Sequence, residues 1–433
     1  MFIGIGIGIT AGVGMGVGRA SGPQWAIDYD ASRSAGPLLQ LPAGTTFTRA
    51  SAALAIDHNG VPWIAKSGEI VEWGKRRVDN LFASSATLST QSVTVPSGAT
   101  VLVSFHGTGS IAFSGGASGS LAGTGVSDRV HASKTASTTS ITCTVSGSVT
   151  DAQFEIAYPG QTEPSEYIST GVLSAPYHGW GADGVKYFNT DESGDPISAA
   201  TMRGIIVAPQ ATNVIRSASD LTRSPWHIEG AADSSLSFDP VMGGQYTQLR
   251  DVGAKFVDDV WLATGGLSGS TRYEPCFVIR AISSSGTLQL VDTQWGATGQ
   301  WSIDLSAVGA GDLINRDHPA VTIDNEFVSV VSGNMGLTFA AAAGSLDFDV
   351  SLITLIEGTT PAPTPIPNAS TSAAATRNAD SLVVNVPDGS YSISTTYGDG
   401  STEAVSDTAS SGLTLTSADF SKATVKKMQG NPA

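Results

Sequence analysis

The side chains that most often carry out catalysis are sparse in this chain and lack the spacing that catalysis needs. The six histidines are scattered, so no His-x-x-x-His pair occurs, and Cys143 and Cys276 are too far apart for a Cys-x-x-Cys pair. The sequence also contains no Gly-x-Ser-x-Gly nucleophile elbow. These patterns argue against a zinc site and against an esterase of that type. We therefore predict that the protein is not an enzyme and has no catalytic residue.

Two pairs of carboxylates are the remaining candidates for acid-base chemistry. Asp347 and Asp349 are two residues apart and therefore lie on the same face of a predicted strand. Asp258-Asp259 lie close to Trp261 in the sequence. Cleavage of a glycosidic bond would require two carboxyl groups roughly 5 to 10 Å apart. The alternative is that both pairs occupy solvated strand or turn positions, and the sequence favours it.

One short segment has the composition of a cation-binding loop. Asn189, Asp191, Ser193 and Asp195 offer oxygen ligands at alternate positions, and Gly194 permits a sharp turn, as in calcium loops. The acid that closes an EF-hand loop is missing. The segment is a candidate Ca²⁺ site, with an exposed polar turn as the alternative, and the sequence indicates no other cofactor.

Three of the eight tryptophans are candidates for ligand binding. Trp261, Trp295 and Trp301 fall in the larger predicted sandwich, where an exposed indole could stack on the apolar face of a sugar ring. Packing of these rings in the core is the alternative. If they are exposed, they would make weak glycan contacts.

The elements that must position these residues are β-strands. Gly, Ser, Thr, Ala and Val dominate the 433 residues, and short runs that alternate apolar with hydroxyl residues recur between turns. Only 14% of the residues are charged, and the net charge of −16 argues against nucleic acid or an anionic membrane as the main partner. Lys75-Arg76-Arg77 is too short a basic cluster to change that. The predicted class is all-β.

The N-terminal tract keeps a strict parity that is typical of an extended strand. One face of such a strand is apolar and the other has almost no side chains, so it needs a partner surface to be stable. We predict that it is an anchor. Its residues are Ile3, Gly4, Ile5, Gly6, Ile7, Gly8, Ile9, Gly12, Val13, Gly14, Met15, Gly16, Val17 and Gly18.

Three other interpretations of this tract compete with an anchor strand. A signal peptide would have a positive charge ahead of the apolar run, but the first basic residue here is Arg19. A transmembrane helix would be longer and poorer in glycine, so no membrane insertion is expected. A disordered glycine tail is the strongest alternative, although such tails rarely keep Ile and Val in alternation.

The rest of the chain divides at composition shifts and turns. Asp388-Gly389 and Asp399-Gly400, between alternating runs near the C-terminus, predict hairpin turns. The predicted segments are an anchor at 1–19, an irregular attachment region at 20–85, a small β-sandwich at 86–160, a connector at 161–211, a larger β-sandwich at 212–357, a proline-rich linker at 358–375 and a small C-terminal β domain at 376–433.

A weak internal duplication precedes the two predicted sandwiches. The order Gly-Val, then an apolar run, then Asn and an apolar residue occurs twice in the chain. The first copy ends at Asp79-Asn80-Leu81 and the second at Thr212-Asn213-Val214. Each copy thus leads into its own sandwich.

Three stretches resemble parts of bacteriophage virion proteins. Residues 47–53, with Asn80-Leu81 downstream, resemble the segment that precedes jelly-roll or lectin-like modules, and 106–155 resemble the small sandwich that follows it. Residues 386–402 are similar to the closing domain of phage tail-associated proteins. The resemblance implies jelly-roll-like sandwiches in a virion component that faces the host or the medium, a homotrimer, and carbohydrate-binding modules.

The leading functional prediction is a structural component of a virion, namely a fibre, spike or decoration on the tail or head. Its partners would be other virion proteins and a host surface glycan. A secreted carbohydrate-binding adhesin is one alternative, although we find no export signal. A polysaccharide depolymerase is the other, although such enzymes usually contain a long repetitive β-helix.

Overall fold

The computed structural model describes most of the chain between Ala26 and Ala433. The described residues are 26–32, 45–60, 62–65, 67–157, 160–170, 184–215, 220–222, 226–228, 232–239, 244–253, 260–264, 267–292, 299–316, 318–329, 335–358, 365–366, 375–422 and 424–433. They form β-strands and two single-turn 3₁₀ helices, Leu305–Ala307 and Ser417–Asp419. The predicted all-β class is confirmed. Within this part of the chain no helix is long and apolar enough to cross a membrane.

The strands belong to a base, built from three separate stretches of chain, and to two units inserted between those stretches. The base begins with β1 (Ile27–Asp30), β2 (Thr46–Thr48), β3 (Ala53–Ile56), β4 (Pro62–Ala65), β5 (Glu72–Trp73) and β6 (Arg76–Asp79). The first unit contains β7 (Gln91–Thr94), β8 (Thr100–Gly107), β9 (Ser110–Gly115), β10 (Gly119–Ala122), β11 (Gly125–Thr135), β12 (Ser140–Ser146) and β13 (Thr150–Ile156).

The chain then returns to the base and leaves it again. The base resumes with β14 (Val185–Phe188), β15 (Gly204–Ile206) and β16 (Ala211–Asn213). The second unit contains β17 (Trp226–Ile228), β18 (Asp233–Asp239), β19 (Gly244–Gly253), β20 (Val260–Thr264), β21 (Arg272–Ile282), β22 (Thr287–Asp292), β23 (Gln300–Asp304), β24 (Leu313–Ile314), β25 (Val321–Asn325), β26 (Phe327–Val328), β27 (Met335–Ala341) and β28 (Ser345–Glu357). The base closes with β29 (Ala375–Arg377), β30 (Ser381–Val384), β31 (Gly389–Tyr397), β32 (Thr402–Ala409), β33 (Leu413–Thr416) and β34 (Thr424–Pro432).

The main sheet of the base joins strands from both ends of the chain. Its order is β32-β31-β34-β15-β5, and β1 also pairs with β34, with Ile27 opposite Gly430. A second sheet, β2-β30-β33, contributes Leu382 and Leu415 to the same core. Tyr29, Ile205 and Ile393 lie in that core too, fully buried. Residues far apart in sequence therefore stabilise one hydrophobic cluster.

The first unit is sandwich-like, with two sheets that share one core. The sheets are β10-β9-β12-β7 and β11-β8-β13. Strand alternation explains the core, because Ile141 and Cys143 of β12 are buried while Ser140 and Thr144 are exposed. Val101, Phe105 and Phe154 from the opposite sheet pack against them.

The second unit follows the same plan with longer strands. One sheet has the order β18-β19-β28, with β21 also on β28, and continues from β28 through the base strands β16 and β29; the other sheet has the order β17-β20-β27-β22-β23-β25. Phe277 and Phe339 cross edge to face between them, with ring centroids 5.4 Å apart. The outer face of this unit packs on the base, where Leu54 and Ile56 contact a cluster that includes Cys276, Val278 and Leu352.

The two hairpin predictions near the C-terminus have different outcomes. Asp399-Gly400 does connect two paired strands, β31 and β32, and the Tyr397 N–H donates to the Ser401 carbonyl at 2.8 Å. Asp388-Gly389 turns the chain but joins strands in different sheets, because β30 pairs with β2 and β33 while β31 pairs with β32 and β34. A local turn signal does not determine which strands pair on either side of the turn.

The base also groups the chain differently from the predicted segments. Residues from the irregular region 20–85, the connector 161–211 and the C-terminal segment 376–433 share one core. The C-terminal segment is thus completed by strands from the rest of the chain. Of the proline-rich linker, 358–375, the structure describes Gly358, Pro365, Ile366 and Ala375, and the Ile366 side chain is buried.

Candidate functional site

The predicted site residues fall in different places, and several lie outside the described residues. The anchor tract, Trp295 and Asp258-Asp259 are outside them, and of Trp261 only the backbone is described, in β20. Trp301 is fully buried, and its ring lies 6.0 Å from that of Phe327. The prediction that Trp301 forms an exposed sugar platform is therefore wrong. Its strand, β23, is covered on the inner side by the opposite sheet, and this burial cannot be read from the sequence.

The candidate calcium loop is a tight polar turn. One carboxylate oxygen of Asp191 accepts hydrogen bonds from the Ser193 and Asp195 N–H groups, both at 2.9 Å. Asn189 accepts through its backbone carbonyl from the Ile197 N–H, and Gly194 has a φ of 85°. This Asx-type turn accounts for the spacing of the polar residues without a cation. Among the described residues, no three His, Cys, Asp or Glu side chains are grouped so as to hold a metal ion.

The described pair of candidate acids is engaged in structural contacts. Asp349 is buried and pairs with Arg250 at 2.7 Å. Asp347 accepts a hydrogen bond from the Asp251 N–H at 2.9 Å. Both interactions tie β28 to its neighbour β19. These contacts give the two carboxylates a structural role.

The basic cluster predicted from sequence is buried in the base, and every member has an acidic partner. Lys75 pairs with Glu72 at 2.9 Å, and both side chains are almost completely buried. Arg76 forms a two-pronged contact with Glu166, and Arg77 lies 3.0 Å from Glu69. Where both partners are buried, as in Lys75–Glu72 and Arg77–Glu69, the cost of removing the charges from water offsets much of their attraction. The cluster connects β6 to neighbouring segments and offers no basic patch to a partner.

A second buried ion pair joins the two ends of the base. Arg49 and Asp380 have no exposed side-chain surface, and Nε and Nη2 of Arg49 lie 3.1 and 2.5 Å from the two carboxylate oxygens of Asp380. Arg49 also donates to the carbonyls of Glu69 and Ile206. The Ala208 N–H donates to Asp380 at 2.8 Å. One side-chain pair thus links four stretches of chain.

Burial governs the electrostatics of this junction. It raises the pKa of Glu72, and the neighbouring Lys75 ammonium opposes that rise. Burial lowers the pKa of Arg377 to about 10, against the pull of Asp380. For Arg77, Asp79 and Glu69 outweigh the opposing effect of burial, so its pKa is raised. The second oxygen of Glu72 is buried without a hydrogen-bond partner, which adds to the desolvation that raises the pKa of this carboxyl group.

The two inserted units are held to the base by the same side-chain arrangement, which we call the asparagine clasp. Oδ1 of Asn80 accepts from the N–H groups of Phe82 and Phe154, at 3.2 and 3.1 Å. Its Nδ2 donates to the carbonyls of Ala152 and Ile168, at 2.8 and 2.6 Å. Asn80 thereby ties the entry of the first unit to its last strand and to the segment that leaves it.

Asn213 repeats this pattern in the second unit. Oδ1 accepts from the N–H groups of Ile215 and Leu355, at 3.0 and 3.1 Å, and Nδ2 donates to the carbonyls of Ile353 and Ile366, at 3.2 and 2.9 Å. In both clasps the partners are the residue two positions on, two residues of the last strand and one residue beyond it. All four hydrogen-bonding positions of each amide are filled.

Sequence reasoning found the duplication but not its role. Asn80 and Asn213 are the asparagines that close its two copies, so a repeated asparagine before an apolar residue was the available signal. Arg49 lies in the stretch 47–53 that carries the resemblance, but neither Arg49 nor Asp380 stands in a pattern that predicts an ion pair. A scan against protein-family models finds no match for the chain, and a search of curated proteins finds none either.

Proposed function

We propose that this chain is a structural component of a bacteriophage virion, a fibre, spike or decoration attached through its N-terminal tract. The observation that carries the proposal is the arrangement of base and units. The first described strand, β1, follows the tract and pairs with β34 in the base. Both units are inserts clasped to that base by Asn80 and Asn213. A body of this kind can be attached at one place while it presents two separate units.

The paired charges of the base fit this role. A component that is attached to a particle at one end and contacts the host at the other must hold its units in fixed positions relative to the base. Arg49–Asp380 and Arg77–Glu69 are buried pairs with several hydrogen bonds each, so they hold the segments in one arrangement. The host-facing role and the glycan partner belong to the proposal and rest on the resemblance of the sequence to virion proteins.

The first test is deletion of residues 1–19. The Gly/apolar alternation of the tract predicts a strand that buries little without a partner, so the thermal unfolding of the truncated protein should stay nearly unchanged. Incorporation into particles should be lost, as measured by quantitative blotting of purified virions. A variant in which a Gly/Ser linker of equal length replaces residues 1–19 serves as the control for length. This variant should also fail to be incorporated into particles. If purified virions contain the truncated chain in normal amounts, the prediction that residues 1–19 are an anchor is wrong.

The second test is the oligomeric state. We propose a homotrimer, because a strand with an apolar face and a glycine face buries little until a partner supplies the opposing surface. Light scattering of the full chain should then give three times its mass of 44.2 kDa. A mass of one chain over a wide concentration range would refute the trimer.

A further inference from the structure

One face of the first unit consists almost entirely of small hydroxyl side chains. In the sheet β10-β9-β12-β7, apolar residues point into the core and the alternate residues point outward. All four strands are described, and none of their outward residues is charged or aromatic. The outward residues are Ser92, Thr94, Ser110, Ala112, Ser114, Ser120, Ala122, Ser140, Thr142, Thr144 and Ser146, all of them exposed or half-exposed.

Strand register aligns these hydroxyls in rows across the sheet. Thr142 lies opposite Ser92 on one side and Ser114 on the other, and Ser110 lies between Ala122 and Ser146. The Ser92 and Thr142 hydroxyl oxygens are 2.8 Å apart. Because neighbouring strands are about 4.8 Å apart, the face is a regular grid of groups that both donate and accept hydrogen bonds.

The chemistry of this hydroxyl face matches an uncharged, polyhydroxylated chain. Sugar hydroxyls also donate and accept, and binding them here would desolvate no charge. The chain carries a net charge of −16, which disfavours approach of an acidic polysaccharide. The small side chains leave the face flat, so an extended glycan could lie along it.

A second copy of the chain fits this face less well. Four strands at about 4.8 Å and six residues at about 3.3 Å give roughly 400 Å². A stable protein interface needs about 800 Å² from each partner. The face also lacks the aromatic and large apolar residues that supply most of the energy of such interfaces.

We propose that the hydroxyl face of the first unit is the docking surface for a neutral glycan. The proposal rests on the proposed function, since it names the class of ligand that the exposed unit contacts. It places that contact on serine and threonine hydroxyls and not on the buried Trp301. Binding at one face should be weak, in the millimolar range, and should become measurable through multivalency.

The test uses the full-length chain displayed at high density on beads and an array of neutral and acidic microbial polysaccharides. The wild-type protein should bind neutral members and not acidic ones. Ser114→Glu with Thr144→Glu should reduce that binding at least tenfold, and the milder Ser114→Ala with Thr144→Val should reduce it several-fold. Ser133→Glu, an exposed position on the opposite sheet, is the matched control and should bind like the wild type.

Several outcomes would overturn the proposal. These are the absence of binding to any neutral glycan, binding unaffected by either double variant, and equal loss in the Ser133→Glu control. If the glutamate variant instead changes the oligomeric state measured by light scattering, the face is a contact between copies. None of these variants alters residues 1–19, so all of them should be incorporated into particles normally. A failure of glycan binding is therefore distinguishable from a failure of the proposed virion role.

Discussion

Replacing Asn213 by alanine should lower the free energy of unfolding of the second unit by about 4 kcal/mol. The substitution removes four hydrogen bonds at a fully buried position, two that Asn213 accepts from the Ile215 and Leu355 N–H groups and two that it donates to the Ile353 and Ile366 carbonyls. Each of these hydrogen bonds contributes about 1 kcal/mol. Asn80→Ala should have a similar effect on the first unit.

Hydrogen exchange resolved by residue is the measurement, because the two clasps act on different units. Asn80→Ala should reduce protection in β8 and β13, and Asn213→Ala should reduce it in β21 and β28. Asn378→Ala, at an exposed position of the base, is the control and should change stability by no more than about 0.5 kcal/mol. If either clasp variant keeps full protection in its unit, the asparagine does not hold that unit to the base.

Replacing Asp380 by alanine should destabilise the base by about 3 to 5 kcal/mol. The change leaves the Arg49 guanidinium buried without its carboxylate, and an uncompensated buried charge is expensive. The double variant Arg49→Met with Asp380→Leu removes both charges and should recover part of the loss, since the Ala208 N–H and the buried Arg377 guanidinium still lose the Asp380 carboxylate. Denaturant unfolding followed by tryptophan fluorescence would measure the stability of both variants.

The matched control is an ion pair on the surface of the same base. Lys422 contacts Asp399, and both side chains are substantially exposed. Lys422→Ala should therefore change stability by less than about 1 kcal/mol. If Asp380→Ala costs as little as Lys422→Ala, or if the double variant is as unstable as the single one, the buried pair does not organise the base.

Local patterns predicted the strands well. The recurring alternation of apolar and hydroxyl residues predicted short strands such as β12, because the apolar residues had to share one face and that face is the core. The Asp399-Gly400 hairpin followed from turn chemistry in the same way. The alternation of apolar and polar residues does not indicate which strand will pair with which. The pairing of β1 with β34, and of β30 with β2 instead of β31, depends on the whole set of available edges.

The candidate site was less predictable, for a different physical reason. Burial decides whether a tryptophan is a platform or a core residue, and whether a basic run is a patch or a set of buried pairs. The sequence left Trp301 open between an exposed platform and a core residue and gave Lys75-Arg76-Arg77 only as a short basic cluster, and all four side chains are buried in the fold. The hydroxyl face became visible only when strand register placed Ser92, Thr142 and Ser114 in one row.

The pairing of β1 with β34 also sets the order in which a nascent chain can fold. The Ala26 N–H bonds to the Asn431 side chain across 405 positions of sequence, so the main sheet of the base cannot close until synthesis has reached its last strand. Each of the two units is built from one continuous stretch of chain, so each can fold before synthesis is complete, as domains do on the ribosome. A chain released early would carry formed units on an open base whose core lacks its C-terminal strands. Under the proposed virion role, a particle that binds only the closed base would therefore exclude incomplete chains without a separate proofreading step.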